Sequence, residues 1–255
     1  MRAIIWRFLQ PNRLPAVLQI SPFLSHRYAV PPPPGGGYRS DTFVLRSAFC
    51  VLRWEAFKLC AKLEFTQRGR NMEIILASQS PRRKELMGLL KLPFIVRVAD
   101  IDETMDPGKP PFDEVARVSI RKAEAIARNS DDIVIAADTI VVCGNEVLGK
   151  PKDKADALRM LTMLSGRSHQ VMTGMTVLRG QRRVTHTEVT DIYFRKLSQE
   201  EILAYIRTGE PMDKAGAYGI QGGAALFAEK IVGDYYNVVG LPVCRLGQIL
   251  TEEIQ

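Results

Sequence analysis

The chain has 255 residues, 46% apolar and 25% charged, an ordinary globular composition with room for one large α/β domain or two small ones. No apolar run approaches the roughly 18 residues that cross a bilayer, which excludes a membrane helix. The formal charge of +7 belongs to residues 1–71, eleven Lys and Arg against three Asp and Glu; the rest carries twenty-four against twenty-five and offers no broad field to a nucleic acid.

The first 71 residues are expected to be a leader, disordered or loosely helical, outside the working domain. They contain PPPPGGG at 31–37, which neither a helix nor a central strand tolerates. An Arg-rich, acid-poor leader fits an organellar transit peptide. It also fits an upstream start codon, with translation in the cell beginning at Met72. The second reading is preferred, because the leader lacks a clear amphipathic period and a cleavage signal. The four cysteines, Cys50, Cys60, Cys143 and Cys244, have no metal-ligand spacing, and reduced thiols in a cytoplasmic protein are expected.

From Met72 the punctuation becomes regular, and 72–255 is expected to form one domain. EIILA predicts a strand, SQSP a turn, and RRKELMGLL a helix with Leu86, Leu89 and Leu90 on one face. FIVRVAD predicts a second strand. Residues 112–129 predict a helix with Val115, Ile120, Ala123 and Ala127 inward. IVIAAD predicts a fully buried strand that ends in a carboxylate, followed by a hairpin turning at Gly144-Asn145. Asp153 caps the next helix, two long alternating segments follow as an antiparallel pair, and Ser198 with Glu201 makes a capping box. A Gly-rich stretch, DKAGAYGIQGGAA, precedes a last strand and a helix after Pro242. Strands alternating with helices, plus a hairpin region, predict an α/β domain with a mixed twisted sheet and flanking helices. Ligands of such sheets bind at the carboxyl ends of parallel strands.

Several residues could carry chemistry there. The turn Ser78-Gln79-Ser80-Pro81-Arg82-Arg83 joins a strand to a helix N-terminus, where free N–H groups, two hydroxyls and two guanidiniums suit an anion. The same turn also suits a plain capped helix with solvated arginines. Asp138, at the tip of a buried strand, suits a divalent cation or a general base, or else a turn cap. Asp102 and Glu103 could complete an oxygen-ligand set, or be surface carboxylates. Lys122 and Lys150 could neutralise phosphate, or be solvated lysines. With no histidine cluster, the metal expected is Mg²⁺ or Mn²⁺. In the Gly-rich stretch, Gln221 could pair with a nucleobase edge, or the segment could be a flexible loop. Neither GxxxxGK[ST] nor GxGxxG is present.

Taken together, LASQSPRR, AADTIVVCGNEVLGKP, MLSGRSHQVMTG and YIRTGEPMDKAGAYGIQGGAALF resemble the signature segments of the Maf family, in the family's order. The resemblance runs from Met72 nearly to the C-terminus. It implies a two-lobed α/β fold with a central cleft, like that of inosine triphosphate pyrophosphatases, often as a homodimer. It implies a cytoplasmic, metal-dependent enzyme cutting nucleoside triphosphates between the α- and β-phosphates. YGIQG looks like the branch acting on dTTP and UTP. By the match of motifs, Asp138 is implied as proton acceptor and Arg82, Thr139 and Gln221 as specificity positions. Asp102-Glu103 matches less cleanly. A house-cleaning enzyme for modified or purine triphosphates, and a non-enzymatic regulator of cell division, are the other readings the resemblance leaves open.

Overall fold

The computed structural model describes residues 72–128 and 131–254. The leader expected over residues 1–71 lies outside the described residues. Ile74–Leu76 forms β1, buried throughout, its β-branched side chains packing well between sheet neighbours. It pairs in parallel with β2, Ile95–Val96, and with β3, Ile133–Cys143. Gly144, at φ +60°, turns the chain back as the antiparallel β4, Glu146–Leu148. Two long antiparallel strands follow, β5 (Ser168–Arg179) and β6 (Arg182–Phe194), and β7 (Ala228–Val232) lies beside β6. The strand order is β2-β1-β3-β5-β6-β7, with β4 beside β3. The predicted mixed α/β sheet with flanking helices is what forms.

Helix α1, Pro81–Leu89, starts on Ser80, whose Oγ accepts the Arg83 N–H, with Pro81 at the position where a missing N–H is harmless. Its buried residues are Arg83, Leu86 and Met87. Leu89, expected inward, is 55% exposed, because a 3.6-residue repeat from Arg83 reaches 86–87 and then Leu90. Helix α2, Pro111–Ile126, covers β3, β5 and β6. Helix α3, Lys154–Leu164, is capped by Asp153, and α4, Gln199–Arg207, opens on the predicted Ser198–Glu201 capping box. A short helix, α5 (Tyr235–Val239), was not foreseen; its sequence YYNVV is aromatic and β-branched, and Asp234 supplies the cap. Helix α6, Val243–Gln248, follows Pro242. Among the described residues no helix is long and apolar enough to cross a membrane.

β3 divides two packed layers. Ile133, Ile135, Ala137 and Val141 join the larger core, while Val134 and Ala136 pack with Ala123 and Ile126 of α2. The two-residue repeat therefore turns Asp138 toward α2 and Thr139 toward α1 and α5. The strand does not end at Asp138, as expected from the sequence, but runs on to Cys143. What ends there is its company. β1 pairs with β3 only to Ile135, whose carbonyl accepts the Ala77 N–H at 2.8 Å, and β4 pairs only from Val141. Between them, residues 136–140 have β5 as their strand partner among the described residues. This gap makes both faces of β3 reachable from one side.

Candidate active site

The gap opens into a cleft of about 780 Å³, the size of a small-molecule site. It lies at the carboxyl end of β1, where an open α/β sheet places its ligand. Ser78, Ser80, Arg82, Glu103, Lys122, Asp138, Thr139, Lys150 and Gln221 all line it. Asp102 does not. Its exposed carboxylate accepts from the Thr104 hydroxyl at 2.6 Å and the Thr104 N–H at 2.9 Å, and these bonds hold it below the usual carboxylate range. The acidic pair thus divides: Asp102 closes a local turn, and Glu103 faces the cleft.

On the α2 side, Lys122 is buried and its Nζ lies 2.7 Å from Asp138 Oδ1 and 2.9 Å from Glu103 Oε2. Two carboxylates from distant parts of the chain thereby converge on one point. Oxygen donors of this kind fit Mg²⁺ or Mn²⁺, and no described histidine or cysteine lines the cleft. Among the described residues no group of three or more His, Cys, Asp or Glu is close enough to hold a cation alone. Two carboxylates are the usual protein share of a Mg²⁺ whose remaining ligands are phosphate oxygens and water.

On the other face, Thr139 Oγ1 lies 3.0 Å from Thr173 Oγ1 and accepts from Arg83 Nη2 at 2.8 Å. Arg83 also donates from Nε to the Gly240 carbonyl at 2.8 Å and from Nη1 to Ser78 Oγ at 3.2 Å. Every one of these contacts is neutral. Burial pushes the guanidinium below its ordinary range, although Asp138 pulls it back up, and it stays charged. A buried cation without a carboxylate in contact is a prepared place for an anion. The sequence named Arg83 only as part of the turn. The signal was its position: an arginine on the inward repeat of α1, one turn before Leu86 and Met87.

Both serine hydroxyls are in use as acceptors, Ser80 as the helix cap and Ser78 for the Ser80 N–H and Arg83. Ser80 thus caps the helix as an acceptor, and its own proton is left to donate. Arg82 reaches Asp213 Oδ2 at 3.1 Å, and Lys214 Nζ reaches Asp213 Oδ1 at 2.6 Å. Lys150 is exposed at the rim, beside Gly149, whose carbonyl accepts the Gly216 N–H at 3.0 Å. The Gly-rich stretch is no free loop. It is a succession of tight turns, Glu210–Asp213, Ala215–Ala217 and Gly223–Leu226, with Gln221 exposed between the last two.

The cleft therefore offers cations and hydroxyls to a polyanion, a pair of carboxylates beside them, and an amide at the far rim. The sequence profile of the family described as "Maf-like protein" matches residues 73–253. A dTTP/UTP pyrophosphatase of Symbiobacterium thermophilum is 52% identical over 181 residues, 71% of this chain and 93% of that one. One of Alkaliphilus metalliredigens is 53% identical over 182 residues, covering 69% and 94%. One of Bacillus cereus is 48% identical over 186 residues, covering 72% and 92%. A solved HAM1 protein from Coxiella burnetii aligns with 71% of this chain and 99% of its own at 18% identity and a TM-score of 0.42, a likeness too slight to add to the fold.

Proposed function

The chain belongs to the Maf family, and from that premise we propose that it hydrolyses dTTP and UTP to the monophosphate and pyrophosphate. The observation that carries the reading is the gap in β3, which sets the Asp138 carboxylate and the buried Arg83 on opposite faces of one strand, both open to one cleft. Relatives at about half identity that carry the name dTTP/UTP pyrophosphatase agree with it.

The triphosphate lies along the cation side. Arg83, Ser78, Ser80 and Arg82 line the α1 turn, and Lys150 stands at the rim; together they offset the charge gathered on departing pyrophosphate. Thr139 holds the Arg83 fork in its working orientation. Asp138 and Glu103 would hold a divalent cation, Mg²⁺ or Mn²⁺, which would neutralise charge and acidify water. Asp138 Oδ1 is held by Lys122, which leaves Oδ2 for the proton of the attacking water. The water oxygen bonds to the α-phosphorus, the bond from that phosphorus to the bridging oxygen breaks, and pyrophosphate leaves with the electron pair. Gln221 offers one donor and one acceptor, matching the N3–H and neighbouring carbonyl shared by uracil and thymine. Cytosine presents the opposite polarity, so the amide orientation that pairs with uracil and thymine disfavours it. The cytoplasm, where nucleoside triphosphates are abundant, is the compartment we assign.

The test is kcat/KM for UTP, dTTP, CTP, GTP and 7-methyl-GTP, each with Mg²⁺ and with Mn²⁺. UTP and dTTP should lead. A purine or methylated purine ahead of both would overturn the assignment.

A further inference from the structure

Gln221 sits in a glycine-rich turn closed by the Gly222 N–H, which donates to the Gly219 carbonyl at 3.0 Å. Gly219, Gly222 and Gly223 surround it, and glycine is the residue freest to move. Two side chains beneath the segment add to that hold. The Gly219 N–H donates to the Tyr205 hydroxyl oxygen at 3.0 Å, and the Gly223 N–H donates to Glu210 Oε2 at 3.1 Å. The two supports are joined, because the Tyr205 hydroxyl donates to Glu210 Oε1 at 2.9 Å. One bond falls two residues before Gln221 and the other two residues after it.

Side chains lie close over these glycines. A Cβ on Gly222 would collide with the Glu210 carboxylate, and one on Gly219 would come within 2.6 Å of Lys214 Cε. Tyr205 is 5% exposed, with its ring edge-on to Phe227 at 5.2 Å, so the hydroxyl cannot swing away. Burial pushes the phenol well above its ordinary range, which keeps the proton on the oxygen that donates to Glu210. Neither Tyr205 nor Glu210 lines the cleft.

We propose that Tyr205 and Glu210 are positioning residues for base selection, a strap that fixes the backbone of residues 219–223 and with it the place from which Gln221 meets the pyrimidine. This rests on the reading of Gln221 as the base-contacting amide. An amide reads a base edge only as sharply as the backbone beneath it sets its distance and plane.

The experiment compares kcat/KM for UTP and CTP, with kcat and KM resolved, in wild type, Tyr205→Phe, Glu210→Gln, Gln221→Ala and the Tyr205→Phe/Gln221→Ala double variant. Tyr205→Phe removes one oxygen and keeps the ring packing. It should narrow the UTP-over-CTP preference about tenfold, the scale of one buried hydrogen bond, mainly through KM for UTP. Glu210→Gln, which keeps one acceptor, should narrow it less, and it stands in if Tyr205→Phe does not fold. The double variant should discriminate no less than Gln221→Ala alone, since the strap acts through that amide. A preference unchanged in both strap variants, or UTP and CTP falling in parallel, would overturn the strap while leaving Gln221 its role. If Gln221→Ala itself keeps the wild-type preference, the base-reading premise is wrong and the strap falls with it.

Discussion

Gly174 stands directly across from Asp138 in the pairing of β3 with β5, and its missing side chain is what lets α2 lie against that point of the sheet. A Cβ on Gly174 would run into the Val115 carbonyl of α2. The same helix carries Lys122 to within 2.7 Å of Asp138. A glycine that looks like a weak point in a strand thus sets the distance between the carboxylate and its cation.

Gly174→Ala should therefore lower stability by about 1–3 kcal/mol, as overpacking does, and lower turnover as Lys122 is pushed back. Urea unfolding and steady-state kinetics check both. A variant as stable and as active as wild type would show that α2 has room to spare.

Arg83 is predicted to serve the substrate more than the fold. Arg83→Lys keeps a charge but cannot span Gly240, Ser78 and Thr139 at once. We expect kcat/KM for UTP to fall by about two orders of magnitude. A circular dichroism melt should show the variant folded. A loss smaller than about threefold would remove Arg83 from the phosphate side.

For Asp138 the nearly isosteric Asp138→Asn is the cleanest change. It keeps the hydrogen-bonding shape and loses the charge that Lys122 and a cation would face. Turnover should fall by at least about two orders of magnitude, the scale of a positioned base, with the melting temperature little changed. An active, folded Asp138→Asn protein would contradict the role; so would one that fails to fold.

His169 supplies a pH prediction away from the cleft. The ring is packed against Phe194 and Tyr218, its Nε2 lies 2.9 Å from the Tyr218 hydroxyl, and its Nδ1 has no partner. Burial pushes it down to about 4 from an ordinary 6.5. Below pH 6.5 the unfolded chain takes up a proton that the folded one refuses. Stability contributed by the neutral ring is thus complete above about 6.5 and is lost as pH falls toward 4. Between pH 7 and pH 5 wild type should lose about 2 kcal/mol that His169→Gln does not lose. Equal losses in urea unfolding would show that the ring is not the cause.

The sequence carried much of this. Capping residues such as Asp153, Ser198 and Glu201 act within one turn of chain, so their helices were legible. Asp138 announced itself as a lone carboxylate in an apolar run. That the run continues to Cys143 was hidden, because Asp138 and Thr139 interrupt a strand buried on both faces, where no alternation marks the register. Glu103 could not be told from Asp102, since only the fold brings Lys122 to one and leaves the other to Thr104. Tyr205 and Glu210 gave no local sign at all. Their partners are backbone N–H groups in a later segment, and a backbone group is identical in every sequence.

The most direct test of the account is hydrolysis of UTP in ¹⁸O-labelled water, with the products separated and weighed. Attack at the α-phosphorus places one labelled oxygen in UMP and none in pyrophosphate, and that is the predicted result. Label in the pyrophosphate, or UDP and inorganic phosphate as the products, would contradict it.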